Sequence, residues 1–414
     1  AERARERRCV FFAGDARLTS DDWAGLRKAH GNEWLVLVVN GHLDFTGRSL
    51  PACYVVGDVV CDSLHASPDD APVVGGRITA RHYAAFIGGD DETLHCAFNG
   101  RVSTPHAFFW FHDWRGVELN GDAVVHILCD HGDFEEPDAP RWFYWHDGLL
   151  ALRPELTYAP ATWGSDELLW RLDDLGRRVA AGEPVFIDGF DPACLPLVNQ
   201  ARTHLRHQQY PQALAHYKAA IALAPGYRIA WAEAARTLYL ADALEQALPY
   251  AERAMALMPD KLRHLKDEAA DDRALCLLRL GRWDEALAGA SEIIERCTDE
   301  SGRAVAYRVR GEAFLRRGAL EKARDDLLQA ARISYSSALY QWLAGLAHHK
   351  LGDHGAAEAL RAKAGRLNRL ICSFSAGRRL VIQPQHRFPR VGELPRLYDQ
   401  VHHKTANDKY FRFS

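Results

Sequence analysis

One register recurs five times between Cys194 and Gly365, and it limits the possible folds of that segment more than any other feature. Five turn-like triplets, among them Gly281-Arg282-Trp283 and Gly318-Ala319-Leu320, each begin five residues before a small residue. Those small residues, separated by 34, 39, 37 and 34 positions, are Ala213, Ala247, Ala286, Ala323 and Ala357. This spacing predicts a helix–turn–helix unit of about 34 residues. A single helix pair cannot bury its apolar face alone, so we expect successive pairs to stack into one continuous core.

The second unit carries the most complete set of residues. Small residues there allow two helices to approach closely and large ones fill the adjoining volume; the set is Trp231, Ala235, Leu238, Ala247, Ala254 and Pro259. On these residues the segment 194–370 resembles the tetratricopeptide repeat family. The first unit departs from the pattern, because Gln208 stands where a turn glycine is usual. The resemblance implies an α-solenoid of about five helix pairs that presents a binding groove.

The resemblance also indicates which side chains line that groove. The residues expected to bind a partner are Arg202, Arg206, Arg236, Tyr239, Arg279, Arg308, Arg316, His349 and Lys350. The same face is expected to carry Leu205, Ile229, Glu268, Asp271 and Glu312. Seven cations against three anions favour an acidic peptide or an acidic protein segment as the partner, held in part by bidentate arginine contacts. The alternative is that some of these arginines pair with acidic residues of neighbouring helices.

The segment from Trp34 to Asp130 has a different repeat. Short runs of Val, Leu, Ile and Phe are interrupted by glycines 16, 19, 24 and 21 residues apart, at Gly41, Gly57, Gly76, Gly100 and Gly121. An apolar strand, a glycine able to adopt a left-handed corner and another strand, recurring near 20 residues, predict one coil of a parallel β-helix. An antiparallel sandwich with Asn-Gly hairpins is the alternative.

This segment, 34–131, resembles bactofilin-like or polymer-forming β-solenoid domains, specifically a subgroup found near polymorphic toxins. That resemblance implies an immunity or regulatory protein that masks a partner. The predicted fold class is therefore a multidomain α+β protein with a parallel β-helix followed by an α-solenoid. We expect residues 1–33 to cap the β-solenoid with a helix from Ser20 to His30. Residues 132–193 are expected to form a connector with an amphipathic helix from Asp166 to Ala181, and residues 371–414 a basic tail.

Composition narrows the functional classes. The 414 residues suffice for two or three domains, and nine dispersed cysteines predict reduced thiols in a cytoplasmic protein. The formal net charge of −4 gives no indication of nucleic-acid binding. The longest apolar run, Trp34 to Val39, falls far short of the roughly 18 residues of a membrane span. We therefore expect neither nucleic acid nor membrane as a partner, and the oligomeric state stays open.

The sequence contains few motifs that indicate catalysis or metal binding. His126, Cys129 and His131 lie close together and offer ligand types that Zn²⁺ prefers, but no Cys-x2-Cys pair or His-Glu-x2-His helix accompanies them. Ordinary histidines are the favoured interpretation, and neither a metal nor another cofactor is expected. No phosphate-binding loop or nucleophile elbow is present. The leading hypothesis is a non-enzymatic protein-binding scaffold. The alternatives are a metal-dependent enzyme with a site at the β-solenoid or connector, and a generic cytoplasmic assembly adaptor.

An aromatic strip runs from His106 to Trp114. If its strand were covered on one face only, the outward side chains would mark a partner surface. If the connector helix covers the second face, the strip belongs to the core.

Overall fold

A computed structural model of the protein describes residues 8–30, 35–66, 72–87, 97–110, 115–127, 140–148, 150–156, 165–258 and 267–374. The chain divides into two compact units, one that runs up to Pro196 and one that begins at Leu197. The first unit is built on β-strands and the second on helices.

Thirteen strands are described in the first unit. They are β1 (Arg8–Phe12), β2 (Ala16–Thr19), β3 (Leu35–Val39), β4 (Leu43–Ser49), β5 (Cys53–Val55), β6 (Val59–Ala66), β7 (Val73–Val74), β8 (Arg77–Ile87), β9 (Ala97–Ser103), β10 (His106–Trp110), β11 (Arg115–Leu119), β12 (Val124–Ile127) and β13 (Trp142–Tyr144). Its helices are α1 (Ser20–Ala29), α2 (Trp145–Gly148) and α3 (Ser165–Ala181).

Every pairing between these strands is parallel, which confirms the β-solenoid and excludes the antiparallel sandwich for the described strands. The strands stack in three ladders. The first ladder is β1-β3-β5-β7. The second ladder contains β2, the first halves of β4, β6 and β8, and strands β9 and β11. The third ladder contains the second halves of β4, β6 and β8, and strands β10, β12 and β13. Among the described residues, β1 and β2 already pair in the ladders, ahead of the boundary expected at residue 34.

The inward side chains of the ladders form one apolar core. Fully buried members include Leu37, Val39, Val59, Cys61 and Ile78, and the strand register stacks Ile78 on Val59 of the preceding coil. Helix α1 follows β2 directly and packs Trp23 against this core. Its N-cap is Thr19, whose side chain exchanges hydrogen bonds with Asp22 in a capping box. The helix therefore begins at Ser20, one residue after its cap.

The corner glycines are required for a reason other than the one expected. Gly41, Gly57 and Gly76 do not have positive φ angles. A Cβ atom added to Gly57 or Gly76 would instead lie 2.8 Å from the carbonyl oxygen of the glycine one coil earlier. Close approach of stacked backbones therefore selects glycine at this corner. Gly121 is different, because it lies between β11 and β12 and a Cβ there would meet nothing within 4 Å.

Polar side chains at the same corner accept hydrogen bonds from backbone N–H groups. The Asp15 carboxylate accepts a hydrogen bond from the backbone N–H of His42 at 2.8 Å, and the His42 Nδ1 atom accepts from the N–H of Asp58 at 2.9 Å. The Asp58 carboxylate accepts in turn from the N–H of Arg77 at 2.8 Å. Each corner side chain thus satisfies a backbone donor of the following coil.

The connector covers the outer face of the third ladder. Leu172 and Leu175 of α3 pack with Tyr83 and Phe108, which point outward from β8 and β10. The residues from His106 to Phe109 are consequently buried on both faces of the strand. This part of the aromatic strip belongs to the core, and the side chains of Trp110 to Trp114 lie outside the described residues.

The second unit consists of helix pairs, and the structure describes ten helices in it. They are α4 (Leu195–Arg206), α5 (Tyr210–Leu223), α6 (Arg228–Leu240), α7 (Leu244–Ala256), α8 (Glu268–Arg279), α9 (Trp283–Arg296), α10 (Glu300–Arg317), α11 (Leu320–Ile333), α12 (Ala338–Lys350) and α13 (His354–Phe374). This arrangement confirms the α-solenoid of five helix pairs.

The sequence register maps onto this unit directly. The turns of the last three pairs contain Gly281, Gly318 and Gly352 with φ angles of 77°, 76° and 83°. Gln208 and Asp242 occupy the equivalent positions with φ angles of 59° and 62° and so adopt a left-handed conformation that is costly for residues with a Cβ atom. The register alanines Ala213, Ala247, Ala286, Ala323 and Ala357 are all buried.

Candidate partner-binding face

We call the side chains that the sequence assigned to the groove the first-helix face; they lie on α4, α6, α8, α10 and α12. Its first arginine is already engaged. Arg202 donates to both carboxylate oxygens of Glu233, with its Nε and Nη2 atoms 3.0 and 2.6 Å from Oε1. The Tyr217 hydroxyl donates to the same carboxylate at 2.8 Å. Both partners of the ion pair are mostly buried, so the pair ties α4 to α6 rather than presenting a cation to solvent.

A second pair repeats this arrangement one unit later. Arg236 of α6 donates to Asp272 of α8, whose side chain is buried. Arg202 and Arg236 each stand eleven residues before the register alanine of their unit, and Glu233 and Asp272 each stand fourteen before that of theirs. The two ion pairs are therefore equivalent in the repeat. The third unit breaks the series because Leu275 and Val309 occupy these positions.

Arg279 and Tyr239 form the centre of the face. The guanidinium carbons of Arg236 and Arg279 lie 5.7 and 5.3 Å from the centroid of the Tyr239 ring, within the range of cation–π attraction. Arg279 also donates to Asp242 at 2.7 Å. The Asp242 side chain is 70% exposed, in contrast to the buried carboxylates of Glu233 and Asp272. Arg279 therefore has a partner that solvent or a ligand can reach.

The fourth unit contains a buried charge cluster. Glu312 is fully buried and accepts hydrogen bonds from Arg308 at 3.0 Å and from Arg316 at 3.4 Å. Burial raises the pKa of Glu312, and the attraction of the two arginines opposes that rise. Burial acts on Arg308 in the opposite sense, but the combined attraction of Glu312, Tyr340, Tyr239 and Asp271 outweighs it and raises the pKa of the guanidinium. These charges stabilise one another inside the protein.

The ends of the face are more accessible. Arg206 is exposed and donates to Thr203 on its own helix at 3.2 Å. At the other end His349 is exposed, with its ring 5.2 Å from that of His354, and Lys350 is half-buried. Glu268 is exposed on α8, whereas Leu205, Tyr239 and Asp271 are buried.

The expected surplus of cations is therefore largely balanced inside the protein. Three acidic residues missing from the sequence-based count, Glu233, Asp242 and Asp272, each pair with an arginine of the face. The alternative interpretation, pairing with neighbouring helices, holds for Arg202 and Arg236. The sequence did contain a signal, since an acidic residue fourteen positions before the register alanine occurs in two successive units.

The surroundings of His126 do not favour metal binding. This side chain is fully buried and stacks on Phe108 with ring centroids 4.2 Å apart, while its Nε2 atom lies 3.2 Å from Nδ1 of His106. Burial lowers the pKa of His106 to about 4 and that of His126 well below its usual value. Cys129 and His131 lie outside the described residues. Within the described ranges no group of three or more His, Cys, Asp or Glu side chains is placed to hold a metal ion.

Among the described helices, none combines the length and apolar character that crossing a bilayer requires. A comparison with curated protein sequences finds no match. Solved structures similar to the chain include a MamA RS-1 ArsTM double mutant, at 18% identity over 44% of this chain and 97% of that one, with a TM-score of 0.37. Residues 41 to the end of MamA from Desulfovibrio magneticus RS-1 match at 18% identity over 43% and 96%, with a TM-score of 0.37. YrrB, described as a TPR protein with an unusual peptide-binding site, matches at 16% over 44% and 92%, with a TM-score of 0.34.

Family models locate the repeat more directly. A model described as Tetratricopeptide repeat matches residues 198–260 and 272–338, which together run from α4 to the start of α12. The matched segments contain the first four register alanines and the turns that precede them. The helical unit of this chain is therefore built from tetratricopeptide repeats.

Proposed function

We propose that the chain is a protein-interaction scaffold whose first-helix face binds an extended segment of a partner protein. The observation that carries the proposal is the stack of five tetratricopeptide-type helix pairs, because such a stack aligns the first helices of successive units side by side. Repeat surfaces of this kind are extended and suit peptide-like ligands.

The partner segment is proposed to be acidic, with its carboxylates bound at Arg279 rather than at Arg308. The Arg279 side chain is only 13% exposed, but its partner Asp242 is 70% exposed, so an incoming carboxylate can replace Asp242 without leaving a buried carboxylate unpaired. Displacing Glu312 from Arg308 would instead leave a fully buried carboxylate with one charge partner fewer. Arg206 and Lys350 extend the proposed cationic contacts to the two ends of the face. Arg202 and Arg236 serve mainly to hold neighbouring helices together, and Arg308 and Arg316 to neutralise the buried Glu312 on their own helix.

Peptide binding tests this proposal. Fluorescein-labelled eight-residue peptides with glutamates at varied positions are titrated into the full chain, alongside the same peptides with glutamine. The acidic set should bind more tightly and lose affinity as salt increases. Arg279→Ala should weaken that binding about tenfold or more. Arg282→Ala is the matched control, because Arg282 lies in the nearby turn and pairs with Glu285.

Equal affinity for the two peptide sets would refute the acidic preference. Binding that survives Arg279→Ala unchanged, with thermal stability preserved, would exclude the centre of the first-helix face as the site. A masking or immunity role is the finer form of the proposal and rests on the N-terminal resemblance. It predicts that co-expression rescues cells from a toxin encoded beside this gene, and undiminished toxicity would contradict it.

A further inference from the structure

The three ladders of the β-solenoid differ in what covers their outer faces. The outer face of the second ladder carries charged pairs, such as Arg81 between Asp44 and Asp62. The outer face of the third is covered by α3 and the connector. The first ladder, β1-β3-β5-β7, exposes large apolar side chains instead: Phe11 is 62% exposed, Tyr54 50% and Val73 55%.

These side chains form one row across the sheet. The strand register aligns Phe11 with Val38, Val38 with Tyr54, and Tyr54 with Val73. On each strand, the residues before and after the member of this row point inward. Cys53 and Val55, for example, flank Tyr54 and are buried in the core. No charged side chain lies in this row, so charge complementarity cannot select its partner. A partner surface must itself be flat, apolar and uncharged.

The order of sizes along the row identifies such a surface. Phe11, Val38, Tyr54 and Val73 alternate between a large and a small side chain. A two-fold axis between Val38 and Tyr54 would place Phe11 opposite Val73 of a second copy and Val38 opposite its Tyr54. Every large side chain would then face a small one, which is the condition for two apolar faces to interdigitate.

We propose that the outer face of the first ladder is a homodimer interface, in which the row Phe11–Val38–Tyr54–Val73 packs against its own two-fold copy. Sheets pack face to face at about 10 Å, which leaves room for one interdigitated layer of side chains. The exposed parts of the row and of Val56 offer on the order of 400 Å² of apolar surface per copy. The two copies together would bury about 800 Å², below the roughly 1,200–2,000 Å² of standard specific interfaces, so we expect a weak, transient dimer that is populated only at high protein concentration.

Sedimentation equilibrium on the full chain measures this association. Protein from about 1 to 100 µM is examined with reducing agent present, because Cys9 is exposed on β1 and could form an adventitious disulfide. We expect monomer at the lowest concentration and dimer at the highest. Tyr54→Lys should leave a monomer throughout, since it buries a charge at the two-fold axis. Ala24→Lys, at an exposed position of α1, should leave the association unchanged.

Exchanging a large and a small side chain within the row tests whether dimerisation depends on the proposed interdigitation or only on the amount of apolar surface. Phe11→Val places two small side chains opposite each other, and Val73→Phe places two large ones; each change alone should weaken dimerisation about tenfold. The double variant Phe11→Val/Val73→Phe restores large opposite small and should recover the original affinity. A monomer at every concentration, a dimer that persists in folded Tyr54→Lys, or a double variant no better than the single ones would each overturn the proposal. Circular dichroism of every variant confirms that it is folded.

Discussion

The close stacking of coils at the Gly41–Gly57–Gly76 corner makes a quantitative prediction about Gly57→Ala. The added Cβ would lie 2.8 Å from the Gly41 carbonyl oxygen and 2.9 Å from the His42 Nδ1 atom. A normal nonbonded separation is about 3.5 Å, so the two coils must move apart by about 0.7 Å at this corner. That movement stretches the hydrogen bond from the Gly57 N–H to the Gly41 carbonyl, which is 2.9 Å long.

The magnitude follows from two opposing effects. Overpacking of this kind destabilises by about 1–3 kcal/mol, and the stretched hydrogen bond adds to the cost. Replacing glycine by alanine also restricts the unfolded chain, which stabilises by about 0.4–1 kcal/mol. We expect a net loss of about 1–2 kcal/mol. Gly121→Ala meets nothing within 4 Å at a position without positive φ, so only the favourable effect remains and the sign reverses.

Urea titration of the full chain, read by hydrogen exchange and mass spectrometry of peptides from β5 and β6, measures both variants in the unit concerned. The same measurement on helices α10 and α11 should show no change, which controls for the second unit. If Gly57→Ala proved as stable as Gly121→Ala, the coils would not approach each other as closely as described, and the explanation of the glycine pattern would be wrong.

Three further predictions concern charge and backbone strain. Gln208→Gly should raise the stability of the helical unit by about 1 kcal/mol or less in thermal unfolding, because it removes a left-handed conformation from a residue with a Cβ atom; a lower melting temperature would contradict this. Arg308→Met should destabilise by about 3–5 kcal/mol in urea, since it leaves the buried Glu312 carboxylate short of a partner. Replacing all three charges, in Arg308→Met/Glu312→Leu/Arg316→Met, should recover much of the loss, and equal losses would exclude that reason. Because burial lowers the pKa of His106 to about 4 and that of His126 well below its usual value, protons favour the unfolded state as pH falls from 6.5 to 4. Stability should drop in this window, and His106→Gln/His126→Gln should reduce the slope by up to about 2.7 kcal/mol per pH unit; an unchanged slope would show that the pair is not buried in its neutral form.

The sequence anticipated the repeats because each rests on a local rule. Ala247 and Gly281 hold positions that any helix pair of this length requires, so a fixed spacing suffices to recognise them. The glycines at 41, 57 and 76 likewise mark the coils of the solenoid, although the reason for them differs. Their φ angles are not positive, and the constraint comes from a neighbouring coil about 20 residues away in sequence.

The candidate site was less accessible to sequence reasoning. Which side chains share the first-helix face follows from the register, but whether Arg236 is available depends on Asp272, 36 residues later and on another helix. Charge counting along one face cannot detect a carboxylate that reaches it from the next helix. Similarly, the large exposure of Phe11 and Tyr54 cannot be read from their strands, which have the same apolar character as strands covered on both faces.

The sequence alone determined that this protein has a parallel β-solenoid followed by tetratricopeptide-type helix pairs, because both architectures repeat a short pattern that local geometry imposes. Only the tertiary structure decided which charges neutralise one another and which apolar faces stay uncovered. Those outcomes depend on contacts between repeat units that are distant in sequence. Burial removes water from these contacts, so the energetic effect of a side chain depends mainly on which neighbour it meets.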